Sequence, residues 1–221
     1  MVEYEKDGIV QSYMTDYIRS VLKKKDGIFS ELEQYAAEND VPIVQPETAK
    51  FLETFIMANR PKKILEVGCA IGYSAIVMAS VAADAHITTL EFDEDIARIA
   101  KDNIHKAGLE HRIKVVYADA RDYIPYMDTD EEYDMIFLDG PKAHYINMLD
   151  DCMRLLKVGG TLICDNILYK GMTAQDDLVI KRKITIVKRL RKFIDELTTR
   201  DDMETSILTV GDGITISVKK F

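Results

Sequence analysis

The spacing of apolar positions along this chain changes near Pro61. Before it they recur at helical intervals: Ile9, Tyr13, Tyr17 and Val21 share one side of a helix, a second helical segment runs from about Phe29 to Glu38, and a third from Glu47 to Asn59. Pro42 and Pro46 punctuate between the second and the third. Beyond Pro61 the apolar residues bunch into short runs: KILEV (63–67), HITTLE (86–91), IKVVYA (113–118), YDMIFLD (133–139) and GTLICD (160–165). Each reads as a strand, with amphipathic stretches between them reading as helices. This alternation predicts an α/β fold, a mostly parallel, doubly wound sheet with helices on both faces. The tail departs from it. TSILTV (205–210) and ITISVK (214–219) are separated only by Gly211, Asp212 and Gly213, a hairpin signal that turns the last strand antiparallel to its neighbour. With no internal repeat and no shift of composition, residues 1–221 read as one domain whose first 60 residues form a helical segment over the site.

Composition narrows the picture. A chain of 221 residues with 47% hydrophobic content can bury an ordinary core, and a net charge of -9 argues against general adhesion to nucleic acid or anionic membrane, leaving room for a local basic face. Cys69, Cys152 and Cys164 are odd in number and scattered, which predicts reduced buried thiols rather than a disulfide framework. The N-terminal stretch carries acids where a signal peptide needs basic residues, and no apolar window reaches membrane-spanning length, so a cytoplasmic protein is expected.

Two groups of residues carry chemistry. The first strand leads into EVGCAIGYS, with Glu66, Gly68, Gly72 and Ser74 in a short turn that opens a helix. Glycines there let the backbone approach a ligand, and the helix N-terminus offers free amides to an anionic group. The second strand ends at Glu91, where an acid can accept the hydroxyls of a ribose. Three residues separate the glycines of GCAIG, which departs from the dinucleotide fingerprint and favours a mononucleoside-like ligand. The second group lies at the ends of two later strands. Asp139 and the pair Asp165 and Asn166 should converge at the carboxyl edge of the sheet, and two carboxylates with an amide oxygen suit Mg²⁺. Lys142 stands three residues past Asp139; an amine partly out of water beside a divalent cation gives up its proton more readily and can act as a base. His144 and Tyr145 are weaker candidates for the same task.

The motifs ILEVGCAIGYSAIVMA, TTLEFDED, YADARD, MIFLDGPKAHY, LKVGGTLICDNILYKG and GDGITISVKK resemble the metal-dependent S-adenosylmethionine O-methyltransferases of the catechol and caffeoyl-CoA type, over nearly the whole chain. Within that family the resemblance is greatest to the bacterial enzymes that methylate 5-hydroxyuridine in tRNA. It implies a Rossmann-like methyltransferase sheet, with Glu66, Gly68 and Ser74 at the methionine end of the cofactor and Glu91 on the ribose. It also implies Asp119 and Ala120 beside the adenine, Val44 in a segment closing over the methionine, and Asp139 shared between cofactor and metal. Asp165 and Asn166 complete the implied metal set, Lys142 is the implied base, and a homodimer is the implied assembly.

The substrate rests on one more feature. The segment IKRKITIVKRLRKFIDEL (180–197) gathers Lys181, Arg182, Lys183, Lys188, Arg189, Arg191 and Lys192 before its first acid. At about 100° per residue, Ile184, Val187, Leu190, Ile194 and Leu197 form the apolar face, while Lys181, Arg182, Lys188, Arg189 and Lys192 gather opposite, placed to neutralise phosphates. The chain has no Trp to wall a catechol slot. The leading expectation is therefore methylation of a flipped, hydroxylated wobble uridine of tRNA, giving 5-methoxyuridine. The alternative is a small phenolic substrate of the catechol or caffeoyl type. A non-catalytic S-adenosylmethionine- or RNA-binding protein is a third class, which the set Asp139, Lys142, Asp165 and Asn166 argues against.

Overall fold

The computed structural model describes residues 9–128 and 132–221, so the part of the N-terminal helical expectation that falls on residues 1–8 lies outside the described residues. Three helices lead: α1 (Ser12–Val21), α2 (Ile28–Glu38) and α3 (Pro46–Asn59). The alternating part follows as β1 (Lys63–Val67), α4 (Tyr73–Val81), β2 (His86–Glu91), α5 (Glu94–Lys106), β3 (Ile113–Tyr117), α6 (Ala120–Tyr123), β4 (Tyr133–Leu138), α7 (Tyr145–Leu155) and β5 (Leu156–Cys164). The chain closes with α8 (Ile184–Thr199), β6 (Met203–Leu208) and β7 (Ile214–Lys219).

The seven strands form one sheet in the order β3-β2-β1-β4-β5-β7-β6. The first five run parallel, and β7 is antiparallel to both β5 and β6. The order reverses direction at β1, so a crevice opens at the carboxyl ends of β1 and β4, where ligands of such sheets bind.

Strand periodicity divides the core in two. Leu65, Val67, Ile136, Leu138, Leu162 and Cys164 face one side of the sheet and pack with α7 and α8 through Tyr145, Leu149, Leu190 and Phe193. Ile64, Met135, Phe137 and Ile163 face the other side and pack with α3 and α4 through Leu52, Ile56, Ile76 and Met78. Because both faces are covered, the central strands read as unbroken apolar runs, each fully buried side chain contributing about 1.5–3 kcal/mol. Helix ends follow local chemistry. Pro46 opens α3, and the Asp93 carboxylate accepts from the Asp95 and Ile96 N–H groups at the head of α5. All three cysteines are buried and free, as expected.

Three expectations shift. The first helix begins at Ser12, leaving Ile9 ahead of it, and none of its residues is buried. The β6–β7 connection spans residues 209–213, longer than Gly211 to Gly213, because Leu208 pairs with Ile214. On α8 the buried stripe runs through Val187, Leu190, Phe193 and Leu197; Ile184 is 39% exposed and Ile194 is half-buried. Among the described residues no helix is long and apolar enough to cross a membrane.

Candidate active site

The carboxyl edge of the sheet is a staircase of backbone hydrogen bonds. Gly68 and Cys69 N–H donate to Leu90 O, Asp139 N–H to Val67 O, and Asp165 N–H to Leu138 O. The loops after β1, β4 and β5 therefore leave the sheet at matched heights and enclose a cleft of about 850 Å³. Gly68 is required at this junction. Its φ is +99°, and a Cβ there would lie 2.5 Å from Asp139 O.

At one end of the cleft the turn after β1 meets the end of β2. Val44, Gly68, Ser74, Glu91, Asp119 and Ala120 all line this part. The Glu91 carboxylate accepts the N–H groups of Ala70 (2.9 Å), Phe92 (3.0 Å) and Asp93 (3.0 Å). A carboxylate offers about four lone-pair sites, so Glu91 is fixed in place and retains capacity for a ligand hydroxyl. Asp119 caps α6 by accepting the Arg121 N–H at 2.9 Å, and the Arg121 guanidinium beside it holds its carboxyl below the usual range.

Glu66 lies one layer below the lining. Within β1 it alternates with Leu65 and Val67, which sends it with Ile64 toward the α3 and α4 side. It is fully buried beneath the cleft and does not line it. Thr89 Oγ1 donates to Glu66 Oε2, while Oε1 is buried without a hydrogen-bond partner. Burial pushes the carboxyl up to about 7, against the opposing effect of the Ser74 and Thr89 hydroxyls.

The other end brings together Asp139, Lys142, Asp165 and Asn166, all of them on the cleft wall. Lys142 Nζ donates to Asp139 Oδ1 at 3.0 Å. Burial raises both carboxyls, and repulsion from Asp139 helps push Asp165 up to about 8. Two carboxylates crowded in this way gain from a cation placed between them. Among the described residues no group of three or more His, Cys, Asp or Glu stands at metal-binding spacing; the third oxygen here is the amide of Asn166. That all-oxygen set fits a hard divalent ion.

Tyr145 is structural. Its hydroxyl is buried, 3.0 Å from Leu138 O and 3.2 Å from Asp165 O, and ties the ends of β4 and β5 beneath the floor. His144 does line the cleft, with Nε2 3.5 Å from Arg121 Nη1, and burial together with Arg121 and Arg189 lowers its pKa. Among the charged residues of the lining, Asp40, Asp93, Arg121, Lys170 and Asp212 had no assigned role in the sequence reading. Asp212 sits in the GDG turn, whose glycines announced the hairpin and hid the acid between them.

The basic segment stands beside the Asp139 and Asp165 end of the cleft. Arg189 Nη1 reaches Ala143 O at 3.4 Å, on the loop between Lys142 and His144. Lys181, Arg182, Lys188, Arg189 and Lys192 are all exposed, and none forms an ion pair among the described residues. Arg191 is committed elsewhere, to Asp176 at 2.6 Å and to the carbonyls of Met172 and Thr173.

A family model described as O-methyltransferase matches residues 19–220. An O-methyltransferase of Bacillus cereus, solved in complex with S-adenosylhomocysteine, superposes with a TM-score of 0.83 at 28% identity, covering 94% of this chain and 97% of that one. A caffeoyl-CoA O-methyltransferase of Stellaria longipes is 28% identical over 227 residues, 96% of this chain and 93% of that protein. A catechol O-methyltransferase of Niastella koreensis is 28% identical over 214 residues, 92% of this chain and 95% of that protein.

Proposed function

The chain belongs to the S-adenosylmethionine-dependent O-methyltransferase family of the caffeoyl-CoA and catechol type, and from that premise we propose that it methylates the 5-hydroxyl of 5-hydroxyuridine at the tRNA wobble position, giving 5-methoxyuridine, with Mg²⁺ as cofactor. The observation that carries the substrate is the group of five exposed cations, Lys181, Arg182, Lys188, Arg189 and Lys192, without an ion pair among the described residues and beside the Asp139 and Asp165 end of the cleft, in a chain of net charge -9. They offer a track for the anticodon backbone while a flipped base enters the cleft.

The residues fit both cofactors. S-adenosylmethionine carries a sulfonium and an ammonium, and the buried Glu66 carboxylate, with an unpaired oxygen under the loop of Gly68 and Ser74, supplies counter-charge from below. Val44 covers the methionine end, Glu91 accepts from the ribose, and Asp119 and Ala120 border the adenine. Asp139, Asp165 and Asn166 would hold Mg²⁺, which would acidify the substrate hydroxyl and orient it. Lys142, held by Asp139 at the same wall, is the group placed to receive the hydroxyl proton. S-adenosylmethionine held in the cleft would supply the methyl group to the hydroxyl oxygen, with the S–CH₃ electrons left on sulfur and S-adenosylhomocysteine as the product. Holding the two reactants in one cleft would supply proximity without a covalent enzyme intermediate.

The reading includes a homodimer, for which Tyr13, Tyr17 and Val21, all more than half exposed along α1, offer the apolar contact; light scattering across a dilution series checks it. Phenolic substrates are the second reading, supported by the caffeoyl-CoA and catechol names of the relatives. The discriminating experiment measures tRNA binding against salt for the wild type and for Lys188, Arg189 and Lys192 changed together to Gln. Each lost phosphate contact removes about 0.7–0.9 from the log–log slope. An unchanged slope and affinity would make this face a solvated surface and move the substrate to free phenols.

A further inference from the structure

Asp165 and Asn166 are consecutive, yet both line the cleft. In an extended chain neighbouring side chains point to opposite faces, so the backbone has to break its pleat between them. It does so at Asn166, whose φ is +57°, a left-handed conformation that Asn tolerates better than most residues. Two further residues of the same loop, Tyr169 and Lys170, lie at φ +47° and +57°, where neither side chain gives local relief. Such conformations persist where the surroundings enforce them.

The enforcing element is the tip of the β6–β7 hairpin. Ile167 N–H donates to Gly213 O at 3.0 Å, and Leu168 N–H to Asp212 O at 3.1 Å. Lys170 N–H donates to Asp212 Oδ1 at 2.6 Å. Leu168 also packs directly on Gly213, where a Cβ would lie 2.4 Å from Leu168 Cγ. The insertion of β7 between β5 and β6 makes this possible, because it carries the hairpin tip to the loop that leaves β5.

We propose that Asp212 is a positioning residue for the cation site, clamping the 166–170 loop in the left-handed turn that brings Asn166 onto the same wall as Asp165. The inference rests on the reading of that wall as a divalent-cation site. Asp212 acts through the Lys170 N–H, which its carboxylate accepts, while its backbone carbonyl holds the Leu168 N–H whatever the side chain. An Asn at 212 keeps an oxygen for the Lys170 N–H, whereas Ala removes it and leaves that donor to water.

Calorimetric titration of Mg²⁺, with Mn²⁺ monitored by electron paramagnetic resonance, separates these cases in the wild type, Asp212→Ala, Asp212→Asn and Asp165→Ala. S-adenosylmethionine affinity and melting temperature are measured on the same samples. Partners that orient metal ligands are worth on the order of 10- to 100-fold in metal affinity, so Asp212→Ala weakens Mg²⁺ binding by that factor. Asp212→Asn stays within about threefold, and S-adenosylmethionine affinity holds in both. If Asp212→Ala does not fold, Asp212→Ser, whose hydroxyl falls short of the Lys170 N–H, takes its place. The clamp is overturned by unchanged Mg²⁺ affinity in Asp212→Ala, by an equal loss in Ala and Asn, or by S-adenosylmethionine affinity falling in step with Mg²⁺ affinity. A wild type that binds neither ion, indistinguishable from Asp165→Ala, would remove the cation site and the clamp with it.

Discussion

Replacing Glu66 by Gln should stabilise the protein above neutral pH and leave it unchanged in acid. The carboxyl is fully buried, one of its oxygens has no partner, and burial raises it from 4.5 to about 7 in the folded state. A raised folded-state value means that the native protein holds this proton more tightly than the unfolded chain. The stabilisation is complete below 4.5 and is lost as pH rises through about 7. At about 1.4 kcal/mol per pH unit, that interval is worth about 3 kcal/mol. Gln keeps the acceptor for the Thr89 hydroxyl and places a neutral amide where the unpaired oxygen stood, facing the Ser74 hydroxyl. Asp139, Asp165 and Asp212 are raised as well and add slope of the same sign, so the informative quantity is the difference between the two proteins. Urea unfolding of both at pH 4.5, 5.5, 6.5, 7.5 and 8.5, without ligands, gives that difference. It should open from near zero to about 3 kcal/mol in favour of Glu66→Gln, with most of the change between pH 5 and 7.5. A difference that stays flat across the series would show that Glu66 is solvated and that its placement beneath the cleft is wrong.

Other perturbations separate the two ends of the cleft. Asp165→Ala should abolish cation binding and turnover while S-adenosylmethionine binds within about threefold of wild type, because the cofactor end is built on β1 and β2; calorimetry with each ligand in turn reads both. Glu91→Ala should weaken S-adenosylmethionine on the order of 10- to 100-fold, the worth of about 1.5–3 kcal/mol of charge-assisted hydrogen bonding, and equal affinity would remove Glu91 from the ribose. Metal-free protein in excess EDTA should transfer no methyl group and recover with added Mg²⁺, read as label transferred from S-adenosylmethionine.

The central strands were legible because a parallel sheet covered on both faces writes them as apolar runs, as in β4 and β5; KILEV and HITTLE, although broken by Glu66, Thr88 and Thr89, coincide with β1 and β2. The oxygens of Asp139, Asp165 and Asn166 were legible for a related reason, since strand ends of such a sheet converge on one edge. The depth of Glu66 was not legible, because a residue inside a strand follows the pleat and not the loop that comes after it. Asp212 was invisible. Its partner Lys170 is 42 residues away, and the contact exists only because β7 inserts between β5 and β6. On α8 the helical period placed Val187, Leu190 and Leu197 correctly on the buried side, but Phe193 is buried where Ile194 was expected and Ile184 stays at the rim. The amphipathic pattern of α1 fixed a helix without saying what covers it, and Tyr13 and Tyr17 face outward.

The most direct test of the central claim incubates the purified protein with Mg²⁺ and methyl-labelled S-adenosylmethionine against four acceptors: tRNA carrying 5-hydroxyuridine, the same tRNA lacking it, free catechol and a caffeoyl thioester. Label should enter the hydroxylated tRNA alone, as 5-methoxyuridine on nucleoside digestion. Robust labelling of the free phenols with none in the hydroxylated tRNA would contradict the account and make the cleft a small-molecule site.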